Sequence, residues 1–222
     1  MLNLGFVCSA GGAPIEALQK ILSKCEKPVN ISVVTDRKCK AEEMCERNGI
    51  PFIRIQESSR SIFSTKAADW LYGKKQSSVV VLLFSRLVSE QLFLNKRCIN
   101  IHPSLLPAFP GINALRQAYE SGTKYIGSTA HLVDKSMDGG PILTQVACPL
   151  RSEFSYKLLE RISFAQKVFL LLKIYEECFC GLQSGGIDFQ TSPGFKEIRI
   201  LDVDMNEAFL TFLKEEGIPS IQ

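Results

Sequence analysis

Four short runs rich in Val, Ile and Phe, at residues 4–8, 31–34, 52–55 and 79–84, alternate with stretches of helical spacing. Nothing else in the chain limits the fold as much. A run that stays apolar on successive residues makes a strand covered on both faces, and strands separated by helical crossovers pair in parallel. The expected first half is therefore a parallel α/β sheet. Its first helix opens at Pro14 with Ile15, Leu18 and Leu22 on one face, and its second spans 41–48 and stops at Gly49. Ser61 or Ser64 is the candidate cap of a third. A fifth strand is expected at 98–101, a helix at 113–121 ended by Gly122, and two more strands at 126–133 and 142–148. The spacing of these later pieces predicts that the sheet turns antiparallel there. The expected class is an open α/β sheet, parallel in its N-terminal half and mixed in its C-terminal half, with helices on both faces.

A long helix is predicted over 153–180, with Leu158, Ile162, Ala165, Phe169 and Leu172 on one face and Gly181 closing it. Beyond it, Gly185, Gly186 and the Ser192-Pro193-Gly194 turn bracket an extended piece. A strand over 195–201 follows, then a helix opened by a capping box of Asp204 and Glu207 and ended by Gly217. The expected organisation is one catalytic domain, 1–184, and a C-terminal appendage, 185–222.

The formal net charge of the 222 residues is +3 and the cations are scattered, as at Lys20, Lys24, Lys27 and Arg37. That pattern carries no footprint for nucleic acid and favours small-molecule substrates. Eight cysteines occur without a C-x-x-C pair and several lie in apolar runs, so reduced, mostly buried thiols are expected. The start of the chain has no basic leader and turns quickly into a Gly-rich loop, and the run at 79–84 is too short to span a bilayer. A cytoplasmic protein is expected, with no membrane partner; the sequence does not set its oligomeric state.

Both histidines, His102 and His131, fall in one stretch that also carries Asn100 and the Asp138-Gly139-Gly140-Pro141 turn. Asn100 and His102 alternate at a strand end that runs into Pro103, so both side chains can leave the carboxyl edge of the sheet, where open α/β sheets hold ligands. A carboxylate returning from the turn at Asp138 would favour the imidazolium of His102. An amide, an imidazole and a carboxylate together can move a proton and stabilise an oxyanion at a carbonyl carbon. For Asn100 and His102 alone, a hydrogen-bonded loop is the commoner role, and a satisfied structural imidazole is an equal reading for His131. Zinc is not expected, because neither histidine has a partner at ligand spacing. Gly11, Gly12 and Ala13, between the first strand and helix, could offer backbone N–H groups to a phosphate, or could form no more than a plain tight turn. The dinucleotide fingerprint and the P-loop lysine are both missing.

Taken together, Asn100-Ile101-His102-Pro103-Ser104-Leu105-Leu106-Pro107, Pro110-Gly111, Gly127-Ser128-Thr129-Ala130-His131 and Met137-Asp138-Gly139-Gly140-Pro141 resemble the folate-dependent formyltransferases. The likeness is closest to the members that formylate glycinamide ribonucleotide, and it spans residues 1–181. It implies Asn100, His102 and Asp138 as the catalytic trio, with His131 in support. It implies 10-formyltetrahydrofolate as co-substrate and no metal. The folate would lie against Ser85, Arg86, Leu87 and Val88 and under Asp134, Lys135, Ser136, Met137 and Asp138, beside Asn100, with Arg60 as a further contact. It implies an acceptor phosphate at Gly11, Gly12 and Ala13. Here the chain departs from the family, which has Asn where Pro14 stands and a Glu–His pair where Ala165 and Gln166 stand. The acceptor is therefore left open between glycinamide ribonucleotide and another amine, such as an amino sugar nucleotide. The resemblance extends to the formyltetrahydrofolate hydrolases, although their regulatory domain would have no room before Leu4. It also allows a folate-binding protein without turnover, which the intact trio argues against. A methionyl-tRNA formyltransferase is disfavoured because no basic C-terminal domain is seen.

Overall fold

The computed structural model describes residues 1–183 and 201–218. Seven strands, β1 (Leu2–Cys8), β2 (Val29–Thr35), β3 (Phe52–Arg54), β4 (Val79–Leu83), β5 (Cys98–His102), β6 (Tyr125–Leu132) and β7 (Ile142–Pro149), form one sheet in the order β3-β2-β1-β4-β5-β6-β7. β1 to β5 are parallel. β6 and β7 run antiparallel. This is the mixed α/β sheet expected from the alternating runs. The four runs, broken only at Gly5, Ser32 and Arg54, fill strands of the parallel part, whose inner strands β1, β2 and β4 are covered on both faces.

Cover comes from two apolar layers. On one face α1 (Ala13–Lys24), α2 (Lys40–Arg47), α5 (Ala114–Glu120), α6 (Tyr156–Gln183) and α7 (Val203–Glu215) pack over Phe6, Val33, Val81 and Ile99. On the other, α3 (Arg60–Ala68), its π-helical continuation Asp69–Lys74 and α4 (Glu90–Phe93) pack over Val7, Val34, Val80 and Leu82. α6 is clasped by the sheet, α1, α5 and α7. That explains why its buried residues run around the helix, through Leu159, Ile162, Ala165, Val168, Leu170, Leu171, Leu172 and Ile174. The single stripe predicted for it was too narrow: Leu158 and Phe169 are only half-buried.

Several helix starts differ from the sequence reading for local reasons. α1 begins at Ala13, one residue before Pro14, because Gly12 in the left-handed region serves as its cap. α3 is capped by Ser59, whose Oγ accepts the N–H of Ile62, and not by Ser61 or Ser64. Ser64 is buried and accepts the N–H of Ser89 instead, at 2.9 Å. α6 starts at Tyr156 after Ser155, whose Oγ accepts from Leu158, three residues later than expected from Glu153. α7 is capped by Asp202, which accepts the N–H of Asp204, so the Asp204–Glu207 box does not form. Leu201, Met205, Phe209, Phe212, Leu213 and Ile218 join the core shared by α1 and α6. The strand predicted over 195–201 lies outside the described residues apart from Leu201. No helix among the described residues is long and apolar enough to cross a membrane.

Gly127 lets β6 approach its neighbours closely. A Cβ there would lie 2.2 Å from the carbonyl oxygen of Val146 on β7 and 2.4 Å from Leu105 Cδ2. Gly127→Ala is therefore expected to destabilise the fold by about 3 kcal/mol, at the upper end of overpacking costs. The midpoint of urea unfolding should fall with little change in its slope; an unchanged midpoint would show that β6 and β7 can separate freely there.

Candidate active site

The site forms where the parallel and antiparallel parts of the sheet meet. Asn100 and His102 are two residues apart on β5 and so project to the same side. Asn100 sits beside Leu82 on β4 and opposite His131 on β6, and His102 sits opposite Thr129. The antiparallel register thus makes Asn100 and His131 direct neighbours. A register shift at Ala130/His131 leaves Leu143 of β7 unpaired beside them, a bulge that re-aims the strand.

Asp138 closes the arrangement from the β6–β7 connection, as the sequence reading expected. Its Oδ1 accepts from Asn100 Nδ2 at 3.2 Å and lies 3.6 Å from His131 Nε2. Its Oδ2 accepts the backbone N–H of Gly111 at 2.7 Å and lies 3.4 Å from His102 Nδ1. Asp138 is itself left-handed, with φ of 53°. Two glycines follow, and a Cβ on Gly140 would stand 1.9 Å from the carbonyl oxygen of Leu132. The Asp-Gly-Gly sequence is what allows this connection to fold flat against β6.

The tautomers follow from the partners. His102 Nε2 lies 2.8 Å from the carbonyl of Phe109, which can only accept, so Nε2 carries hydrogen. His131 Nδ1 likewise donates to the carbonyl of Leu132 at 2.9 Å. Burial holds the pKa of His131 below its ordinary value of 6.5, while the Leu132 carbonyl and Asp138 pull it upward and His102 opposes them. His131 is thus neutral at pH 7, and its Nε2 lone pair accepts from Asn100 Nδ2 at 3.2 Å. Both amide hydrogens of Asn100 are engaged, one by Asp138 and one by His131.

Sequence reasoning missed the loop that backs His102. Residues 103–111, with a cis Leu106–Pro107 bond, are held by Thr129, whose Oγ1 donates to the carbonyl of Ser104 at 2.7 Å and accepts from Leu106 and Gln145. Ser104 Oγ donates to the carbonyl of Ala108 at 2.6 Å, next to the one that His102 uses. Thr129 stands two residues before His131, so the period of a strand could have revealed it. The roles of the Phe109 carbonyl and the Gly111 N–H leave no mark in side-chain chemistry.

The remaining candidates divide. Ser85 Oγ is 3.2 Å from Ser9 Oγ, Leu87 and Met137 are more than half exposed, and Val88 is partly buried beneath α3 and α4. Asp134 accepts from the backbone and side chain of Ser136, and Lys135 pairs with Glu90 on the surface at 2.8 Å. The guanidinium of Arg86 is occupied by Asp36 and by the carbonyls of Glu57 and Ser58. Arg60 is an exposed residue that opens α3. In the loop of Gly11, Gly12 and Ala13, Gly12 has φ of 72° and packs on Ala41 and Met44 of α2. Its carbonyl accepts from Ile15 and Glu16, while its N–H and that of Ala10 face the Cys8 sulfur. Ala165 and Gln166 are buried, Gln166 between Ser128 and Cys148. Cavities of about 360 and 550 Å³ lie elsewhere, at the opposite end of β1–β3 and beside Trp70. Among the described residues no cluster of His, Cys, Asp and Glu has the arrangement to hold a metal ion.

The depressed pKa of His131 has a thermodynamic consequence. The unfolded chain takes up a proton at this histidine near pH 6.5, before the folded one does, so stability is fully present above that value and falls as the pH drops below it. His131→Gln should flatten the decline in melting temperature between about pH 7 and 5; an unaltered slope would place the pH dependence elsewhere.

The sequence pattern of the formyl transferase family matches residues 3–173. A phosphoribosylglycinamide formyltransferase of Bacillus subtilis is 32% identical over 168 residues, covering 72% of this chain and 86% of that protein. A formyltetrahydrofolate deformylase of Escherichia coli is 38% identical over 122 residues, or 53% of this chain and 43% of that one. The crystal structure of glycinamide ribonucleotide transformylase 1 from Symbiobacterium toebii superposes with a TM-score of 0.72 at 30% identity, covering 83% of this chain and 89% of that one. With the mixed sheet and the strand-end cluster in place, these matches make the chain a member of the formyl transferase family.

Proposed function

We propose that this formyltransferase moves the formyl group of 10-formyltetrahydrofolate to the amine of glycinamide ribonucleotide, a step of purine biosynthesis and one-carbon metabolism, in the cytoplasm. The observation that carries the reading is Asp138, one carboxylate within 3.6 Å of Asn100, His102 and His131 at the carboxyl edge of β5.

The amine nitrogen adds to the formyl carbon, and the carbonyl π-electrons move onto oxygen. Asn100 receives that oxyanion by turning one amide hydrogen from Asp138 or His131 toward it; neutral His131 can release the bond without leaving a buried charge. Phe109 anchors the far side of the His102 ring, so Nδ1–H, beside Asp138, faces the reacting group. His102 donates a proton to the folate nitrogen as the carbon–nitrogen bond breaks, and Asp138 takes up the proton that the attacking amine nitrogen, cationic once bonded to the formyl carbon, loses. Tetrahydrofolate and the formamide leave. The pterin would lie against the 85–88 segment and under residues 134–138, whose exposed Leu87 and Met137 suit an apolar ring. The acceptor loop has fewer donors than a Gly-Ser-Asn loop, because Pro14 lacks an N–H and Gly12 turns its own inward. Phosphate binding there is accordingly weak.

Given 10-formyltetrahydrofolate and glycinamide ribonucleotide, the purified protein should release tetrahydrofolate. Asp138→Asn or His102→Ala should lower kcat by about a hundredfold or more while the proteins stay folded. Folate turnover at the same rate with and without acceptor would replace this reading with hydrolysis. Turnover with an amino sugar nucleotide alone would change the acceptor.

A further inference from the structure

Arg86 reaches across the sheet from its place after β4. Its segment leaves β4, and β1 separates β4 from β2. Nη1 nevertheless donates to Asp36 Oδ2, just past β2, at 3.2 Å, and Nη2 donates to the carbonyls of Glu57 and Ser58, past β3, at 3.0 and 3.2 Å. The guanidinium also lies 5.6 Å from the ring centre of Phe63 on α3, and that ring stacks on Phe84 at 5.2 Å. One planar cation thus spans the end of β1 and ties together the connections after β2, β3 and β4. Its anchor is solid. The Asp36 carboxylate is 3% exposed and also accepts Nε and Nη2 of Arg37, both at 3.0 Å.

Among the described residues, no backbone–backbone hydrogen bond holds residues 85–88. Their position comes from side chains: Ser85 against Ser9, Val88 in the apolar layer, and Arg86 in its strap. Unpaired backbone groups are what a pterin's ring nitrogens and amino group can use, but only if the segment is held still.

We propose that Asp36 and Arg86 are positioning residues that fix the 85–88 segment and thereby set the affinity for the folate, although neither side chain touches it. This inference rests on the folate reading above. A lysine at position 86 keeps the charge but cannot meet the carboxylate and two carbonyls in one plane.

Two variants, Asp36→Asn and Arg86→Lys, test it, with calorimetric titration of 5-formyltetrahydrofolate as the binding probe and steady-state kinetics beside it. Each should weaken folate binding about tenfold, the worth of one charge-assisted bond, and raise the KM for 10-formyltetrahydrofolate in step. The KM for the acceptor and kcat at saturating folate should stay within about twofold. Folate affinity unchanged in a folded variant overturns the strap, and so does a parallel loss in every parameter. If Asp36→Asn does not fold, Arg86→Lys decides alone. Wild-type protein that binds no folate would instead remove the functional reading itself.

Discussion

The change of direction between β5 and β6 is the constraint on which the site depends. Had β6 continued the parallel series, its neighbour positions to β5 would follow a slanted register and the residue opposite Asn100 would arrive from another part of the chain. The antiparallel pairing sets His131 across from Asn100 and Thr129 across from His102. It also sends the β6–β7 connection back over the end of β5, which is how Asp138 reaches both. Left-handed residues then shape the rim: Phe109, Gly111 and Asp138 all have positive φ. Phe109 and Gly111 each turn one backbone group toward the cluster, a carbonyl to His102 and an N–H to Asp138. The geometry of this cluster is a product of backbone shape as much as of side-chain identity.

Electrostatics keep the two histidines distinct despite their shared carboxylate. His131 is buried at 3% exposure, donates to a carbonyl and is held neutral. Both nitrogens of His102 face oxygen acceptors, Phe109 on one side and Asp138 on the other. His102 is thus held between two acceptors, while His131 orients the Asn100 amide. A positive charge on His102 would also oppose protonation of His131, in the same direction as burial. A single carboxylate therefore stands beside two rings held in different ways, and in the proposed reaction only His102 transfers a proton.

Much of this was legible because it follows from local pattern. Short runs rich in Val, Ile and Phe announced the parallel strands, and the Asp138-Gly139-Gly140 turn and the alternation of Asn100 with His102 announced the cluster. What escaped the sequence depends on long-range partners. Ser59 outcompetes Ser64 as the cap of α3 because Ser64 is needed by Ser89, twenty-five residues on. Arg86 looks like a ligand for a folate from its place after β4, yet Asp36, fifty residues earlier, takes its charge. Gln166 sits where a ribose-binding pair would be expected and instead bonds Ser128 inside the core. A charged or polar side chain announces that it needs a partner; it does not announce which.

The two substrate sides differ in how they are held. On the proposed folate side, the 85–88 segment has no backbone–backbone hydrogen bond among the described residues and is fixed by side chains that bridge three strand ends, so its rigidity depends on a few charged contacts. On the proposed acceptor side, the Gly11–Ala13 loop is fixed by backbone bonds: Gly12 caps α1, and the carbonyl of the preceding Ala10 accepts the N–H of Ala41 on α2 at 3.0 Å. That loop holds its shape through its own bonds but has turned donors inward to achieve it. The Ser9–Ser85 contact joins the two sides. In the proposed reading, the folate wall and the transfer chemistry are kept while the acceptor loop offers a phosphate fewer donors. A change of acceptor would then touch only that loop, whereas a change of the proposed formyl donor would touch the segment that follows β4, the strand paired beside Asn100.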